Sequence, residues 1–406
     1  MDSLITAAAR SLATGDPLRA LNFIALRDDP PALALRGIAM AQLGDLARAR
    51  TLLRRAARAF GSTEAIARAR CVVAEAEIAL VSRDLGWPAK PLDSARAVLE
   101  RHGDRANAAH AGYLAIRRLF LIGRLDQAER SIADLDTASL PNASLAAYQL
   151  VVGGMAIRRL QIKAARTALM HAQSVAREAR IPSLVAEVES AVRVLDTPAA
   201  RLIAQGTARP LQLDDIEALL ASKALVVDAC RHAVRQSGKV VSLETRPVLF
   251  ALARTLAESF PSDVSRGMLL ARAFGAKHAD ESHRARLRVE IGRLRKTLRE
   301  VAGIEATKDG FTLKPRHGRD VAVLAPHTDE AHATVLALLA DGEAWSSSAL
   351  ALALGASQRT VQRALDDLKA DGKVQAIGRG RARRWMAPPL PGFPSSLLLP
   401  AALPGG

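Results

Sequence analysis

Seven cations fall within sixteen residues of this chain: Arg284, Arg286, Arg288, Arg293, Arg295, Lys296 and Arg299. Interleaved with them are Leu287, Ile291, Leu294, Leu298 and Val301, at spacings of four, three, four and three. That period predicts a helix from about Asp280 to Val301, with an apolar stripe on one face and guanidinium groups on the rest. A guanidinium binds phosphate oxygens and can also bind a guanine edge through two parallel hydrogen bonds. A second stretch has the same potential. Ser357, Gln358, Arg359, Thr360, Gln362 and Arg363 open a predicted helix, Gln358 to Ala370, that turns Val361, Leu365 and Leu368 inward. A Gln can pair with adenine in the same two-bonded way. Beyond that helix, Arg379, Arg381 and Arg383 alternate along Gly378-Arg-Gly-Arg-Ala-Arg383, a basic tip suited to phosphates or a minor groove.

Elements of the right kind flank both stretches. Before the first come strand-like Leu225–Asp228 and Val240–Leu243, separated by a turn at Ser237-Gly238-Lys239. A helix is predicted over Glu244–Glu258, and a shorter one starting at Val264-Ser265 and ending near Phe274-Gly275. After it, Ile304 to Leu313 reads as a hairpin turning at Asp309-Gly310, with Lys308 beside the turn. The order resembles the winged helix of OmpR/PhoB-type regulators. Val289-Glu-Ile-Gly-Arg-Leu-Arg-Lys-Thr-Leu298 is similar to the end of that family's recognition helix, and Asp309-Gly-Phe-Thr-Leu313 to its wing. The wing is shorter than the family's, lacking a second Gly-Tyr. By the family's geometry Arg284, Arg286 and Arg288 are expected at bases, and Arg295 and Lys296 at backbone or in packing.

The second stretch follows a linker, Lys314–Arg319, an apolar run at Val321–Leu324, and a predicted helix carrying Val335, Leu336, Leu338 and Leu339. Ala349-Leu-Ala-Leu-Ala-Leu-Gly-Ala-Ser-Gln-Arg-Thr-Val-Gln-Arg-Ala-Leu-Asp-Asp-Leu368 resembles the compact winged helix-turn-helix of MarR-, DeoR- and GntR-like regulators. In such units the residues opening the third helix point into the major groove.

The first 200 residues carry no such motif but do carry a repeat. Gly37-x6-Gly44-Asp45-Leu46-x2-Ala49-x3-Leu53-x2-Ala56 recurs around Gly123, Ala128 and Ile132, and as Gly153-x8-Ile162-x2-Ala165-x3-Leu169-x2-Ala172. An earlier copy is read at Gly15-Asp16-Pro17, Ala20 and Ile24, and a degenerate one at Ala95 and Leu99. These resemble tetratricopeptide (TPR) repeats, although the key alanines lie 29 to 46 residues apart rather than at a constant period. The resemblance implies about five helix pairs that stack into a solenoid with a concave face.

Composition bounds these readings. The 406 residues are 49% hydrophobic and 24% charged, with a formal net charge of +16. That excess attracts polyanions, nucleic acid first. Arg and Ala also rise with high-GC codon usage, so position rather than total charge decides. Aromatics are only 3%, so the cores must be built from Ala, Leu, Val and Ile. Cys71 and Cys230 have no metal-ligand spacing, and His278 and His283, five apart beside the basic helix, favour a DNA-facing or solvated role over a metal. No phosphate loop, GxGxxG, HExxH or GxSxG occurs in a usable context, and the all-helical N-terminal half leaves no place for a receiver domain. The N-terminus lacks the basic-then-apolar pattern of a signal peptide, and no run is long and apolar enough to span a membrane.

The expected fold is mainly α: a TPR-like α-solenoid over 1–204, then two α+β winged helix-turn-helix domains over 205–325 and 326–387, then a Pro-rich tail over 388–406. The expected function is a cytoplasmic, nucleoid-associated regulator that reads double-stranded DNA. No catalytic residue, metal or cofactor is expected. The helical half is expected to bind a protein, peptide or small effector or to make a homodimer, with RNA polymerase as a further partner. The rivals are a non-specific nucleic-acid-binding protein with tandem winged helices, and a TPR scaffold whose winged helices contact proteins. Known activators that join an OmpR-like winged helix to TPR-like repeats usually carry the winged helix first.

Overall fold

The computed structural model describes residues 2–61, 64–82, 84–243, 245–274, 281–326, 332–339, 344–354, 356–378, 380 and 383–386. The chain is mainly helical and divides into two compact units. One comprises 1–159, 163–193 and everything from 331 onward; the other comprises 160–162 and 194–330.

The first unit opens with α1 (Ser3–Ala13), α2 (Pro17–Ile24), α3 (Pro30–Gln42), α4 (Leu46–Ala59), α5 (Ala65–Val81) and α6 (Ala89–Arg101). There follow α7 (Arg105–Leu121), α8 (Leu125–Ala133), α9 (Asn142–Arg158), α10 (Ile162–Ala179) and α11 (Pro182–Val194). The sequence sets these boundaries by one device used repeatedly. Gly15, Gly44 and Gly103 take positive φ after a helix, and the Asp that follows each accepts a backbone N–H of the next helix.

Small residues then let paired helices approach. A Cβ on Gly37 in α3 would lie 2.8 Å from Leu53 and 3.2 Å from the Ala49 carbonyl, both in α4. Gly153 in α9 meets Leu169 at 2.8 Å and the Ala165 carbonyl at 3.6 Å in α10, the same offsets of sixteen and twelve residues. Side chains also recur at a fixed separation. Arg50 reaches Asp84, Arg70 reaches Asp104, Glu77 meets His110, and His110 meets Ser144, each 33 or 34 residues apart.

The same unit holds α16 (Ala333–Leu339), α17 (Ser347–Leu354), α18 (Gln358–Ala370) and a hairpin of β10 (Gln375–Ile377) and β11 (Arg384–Met386). Trp345 and Trp385 exchange backbone hydrogen bonds at 2.7 and 2.6 Å, and both rings are buried. These elements do not form a core of their own. Leu339, Trp345, Leu350, Leu365, Leu368 and Trp385 belong to one continuous apolar cluster with Leu80, Leu99, Leu114, Val151 and Val188 of the helical array. The region expected as a separate domain over 326–387 thus shares its core with the helical array from α16 onward.

The second unit is a sheet covered by helices. Its strands are β1 (Ala200–Ala204), β2 (Thr207–Leu211), β3 (Leu225–Asp228), β4 (Ala233–Gln236), β5 (Lys239–Ser242) and β9 (Val321–Pro326), in the order β2-β1-β9-β3-β4-β5. β9 pairs antiparallel with β1 and parallel with β3. The apolar run at Val321–Leu324, which the sequence leaves without an element, is thus an inner strand, and the sheet begins at Ala200, ahead of residue 205. α12 (Leu213–Ala221) joins β2 to β3. α13 (Pro247–Ser259) starts at its Pro, later than the predicted Glu244, because Pro fits the first helical turn. A second sheet, in the order β6-β8-β7, holds β6 (Val264–Ser265), β7 (Ala302–Ala306) and β8 (Gly310–Pro315). Val264-Ser265, read as opening a helix, is a strand paired to Phe311 and Gly310; α14 (Arg266–Phe274) begins after it. α15 (Glu281–Leu298) completes the unit.

Candidate nucleic-acid interface

α15 is anchored by Leu287, Ile291, Leu294 and Leu298, all buried against Leu252, Leu256 and Leu270 of the second unit's core. The opposite face is solvent, and its cations fall into two groups. Arg286 lies over the Phe274 ring at 4.6 Å. Arg293 holds Glu290 at 2.7 Å, and the Arg295 Nε donates to the Ile304 carbonyl at 2.8 Å. Those three are committed to the fold. Arg284 and Arg288 share the Glu281 carboxylate loosely, at 3.6 Å each, and both side chains are more than half exposed. Exposed pairs of this kind contribute little and exchange readily for a phosphate. Lys296 is exposed, with no side-chain partner among the described residues.

The hairpin β7–β8 carries Lys308 at its exposed tip. Arg266 braces that tip: it donates to the carbonyls of Lys308 at 3.0 Å and Thr307 at 3.2 Å, and lies 5.5 Å over the Phe311 ring. Sequence reasoning missed Arg266, because its partners stand about forty residues downstream. Gly310 is demanded by close approach: a Cβ there would sit 1.7 Å from the Val264 carbonyl oxygen of β6. Asp280, His278 and Gly275 lie outside the described residues.

In the first unit α18 buries Val361, Ala364, Leu365 and Leu368. Ser357 caps it, accepting the Thr360 N–H at 3.1 Å while the two hydroxyls meet at 2.8 Å. Gln358 donates to Ser347 at 3.2 Å, and Gln362 to Asp366 at 2.9 Å. Of the six residues singled out here, four therefore have local partners. Arg359 and Arg363 are exposed, with no partner among the described residues. Arg383 is half-buried, 4.4 Å over the Trp385 ring. Arg379 and Arg381 lie outside the described residues.

One other cluster has the composition of a catalytic site. Ser144 meets His110 Nδ1 at 3.1 Å, and His110 Nε2 meets Glu77 at 3.0 Å. All three side chains are almost completely buried, so the hydroxyl reaches no substrate. They link α5, α7 and α9 as a ladder within the array. Among the described residues no group of three or more His, Cys, Asp or Glu is placed to hold a metal ion, and no helix is long and apolar enough to cross a membrane. The chain matches no protein-family model, no curated protein and no solved structure.

Proposed function

We propose that the chain is a sequence-specific, double-stranded-DNA-binding transcription regulator. The observation that carries this reading is α15: a helix buried along one stripe and cationic on its solvent face, preceded by α13 and α14 and followed by the β7–β8 hairpin. That order supports an OmpR/PhoB-like winged helix, with α15 as the element that enters the major groove and Lys308 on the wing. Arg284 and Arg288, held only loosely by Glu281, and the exposed Lys296 are the cations on that helix read as reaching DNA. α18, opened by a Ser cap and carrying Arg359 and Arg363, supports a second helix-turn-helix.

The array α1–α11 is read as TPR-like. Its support is the pair of identical Gly–Ala–Leu contacts and the ladder at 33 or 34 residues, close to the period of about 34 for such repeats. Its role is to hold an effector or partner, or a second copy of the chain.

Selection of random duplex DNA on the purified protein at physiological salt tests the reading. An enriched motif whose affinity falls on Arg288→Ala and Arg359→Ala is the expected result. Binding without an enriched motif leaves a non-specific nucleic-acid protein, and absence of binding leaves a protein-contact scaffold.

A further inference from the structure

β5 ends the six-stranded sheet, and among the described residues no strand pairs with its outer edge. Leu243 N–H donates to the His232 carbonyl at 2.8 Å, which sets the alternation of the β4–β5 ladder. Val241 and Lys239 therefore face β4 with their backbone groups, and Val240 turns its N–H and C=O to the open edge. The Val240 side chain is 53% exposed. Edge strands of this kind are templates for pairing with another chain.

A groove of about 930 Å3 runs beside this edge. Val241, Pro247 and Val248 give it an apolar lining, with α15 as its far wall. The charges around it are uneven. Glu290 is held by Arg293 at 2.7 Å, and Glu300 by Lys239 at 3.6 Å. Arg246 donates only to the Thr297 hydroxyl, and Arg299 and Lys296 have no carboxylate partner among the described residues. Among the described residues the rim is thus basic after its own carboxylates are accounted for. Two copies of such a rim repel each other, which disfavours edge-to-edge pairing of this chain with itself.

We propose that this groove binds an extended acidic segment of a partner protein, which pairs with Val240 as an added strand and places carboxylates on Arg246 and Arg299. Backbone pairing supplies affinity, and the basic rim with the apolar lining supplies selection for alternating acidic and apolar side chains. The inference does not depend on the DNA reading.

The test uses the full chain and a fluorescein-labelled short peptide of alternating Val and Glu, followed by polarisation. The expected result is saturable binding that weakens about tenfold or more in Arg246→Glu/Arg299→Glu, as loss of complementary charge requires. Methylating the peptide's pairing backbone nitrogens abolishes binding with the protein unaltered. Val240→Pro removes the outward N–H without touching a β4 bond, and loses the peptide while keeping the helical signal and unfolding midpoint of the unaltered protein. Equal binding of a Val–Lys peptide, undiminished binding of the methylated peptide, or no saturable binding overturns the proposal. So does self-association that Val240→Pro dissolves, because the edge then belongs to a second copy.

Discussion

Neutralising Arg359 and Arg363 together, as Arg359→Gln/Arg363→Gln, measures whether both cationic helices sit on one duplex. Of the candidate interface cations among the described residues, six are exposed and either unpaired or only loosely paired: Arg284, Arg288, Lys296 and Lys308 in one unit, Arg359 and Arg363 in the other. Arg286, Arg293 and Arg295 are committed to Phe274, Glu290 and the Ile304 carbonyl, and are left out. At about 0.9 per neutralised phosphate, six contacts give a slope of log affinity against log salt of about −5.4. A rise from about 50 to about 200 mM salt then weakens binding by about three orders of magnitude. The double variant keeps four contacts, a slope of about −3.6 and a loss of about 150-fold over the same range. Fluorescence anisotropy of a labelled duplex carrying the selected motif, titrated across salt, reads both slopes. An unchanged slope in the double variant removes α18 from the DNA. A slope near zero in the unaltered protein refutes the whole cationic face.

Three further outcomes follow from the geometry. Gly310→Ala forces β6 and β8 apart at a 1.7 Å backbone contact and is expected to destabilise the second unit by about 3 kcal/mol, read by denaturant unfolding. His110→Ala leaves the Glu77 carboxylate buried without its partner and is expected to cost the first unit about 3–5 kcal/mol, with the loss of helical signal at lower denaturant as the readout. Burial pushes the Cys71 thiol up to about 12, and lost solvation with the Asp228 charge pushes Cys230 up to about 11. The thiolate is the reactive form, so the exposed Cys230 is expected to alkylate slowly near neutrality and faster as pH rises, while the buried Cys71 stays unlabelled in the folded protein; fast labelling of Cys230 at pH 7 refutes the assignment.

The helix at the centre of the candidate interface was legible because its signal is local. Leu287, Ile291, Leu294 and Leu298 state a helical period within twelve residues, and the same spacing assigns the arginines to solvent. The Asp309-Gly310 turn and the Ser357 cap are local in the same sense. β9 was not legible as an inner strand, because its partners β1 and β3 lie roughly a hundred residues earlier and periodicity carries no information about them. Val264-Ser265 failed for a related reason: two residues set no period, and only the crossing of Gly310 beneath the Val264 carbonyl makes them a strand. Spacing also could not sort the cations. The ring that engages Arg286, the carbonyl that engages Arg295 and the backbone that engages Arg266 come from other elements, whereas the Glu290 that pairs Arg293 is a local neighbour on the same helix.

The shared core of the first unit changes what α18 can do. The segment from α16 to β11 is short, and small domains bury a smaller share of their surface. Trp345 and Trp385 are instead enclosed by a cluster that continues through Leu80, Leu114 and Val188 of the array. The Gly123 turn between α7 and α8 lies against the Ala353 carbonyl at the end of α17, at 3.6 Å from an added Cβ. The position of α18 is therefore set by the helical stack rather than by a tether. A ligand that binds only the ordered stack stabilises the stack and this module together, by an amount fixed by its concentration relative to its Kd. Coupling between sites is reciprocal, so if a ligand of the array changes the affinity of a ligand held through Arg359 and Arg363, the second changes the affinity of the first by the same factor.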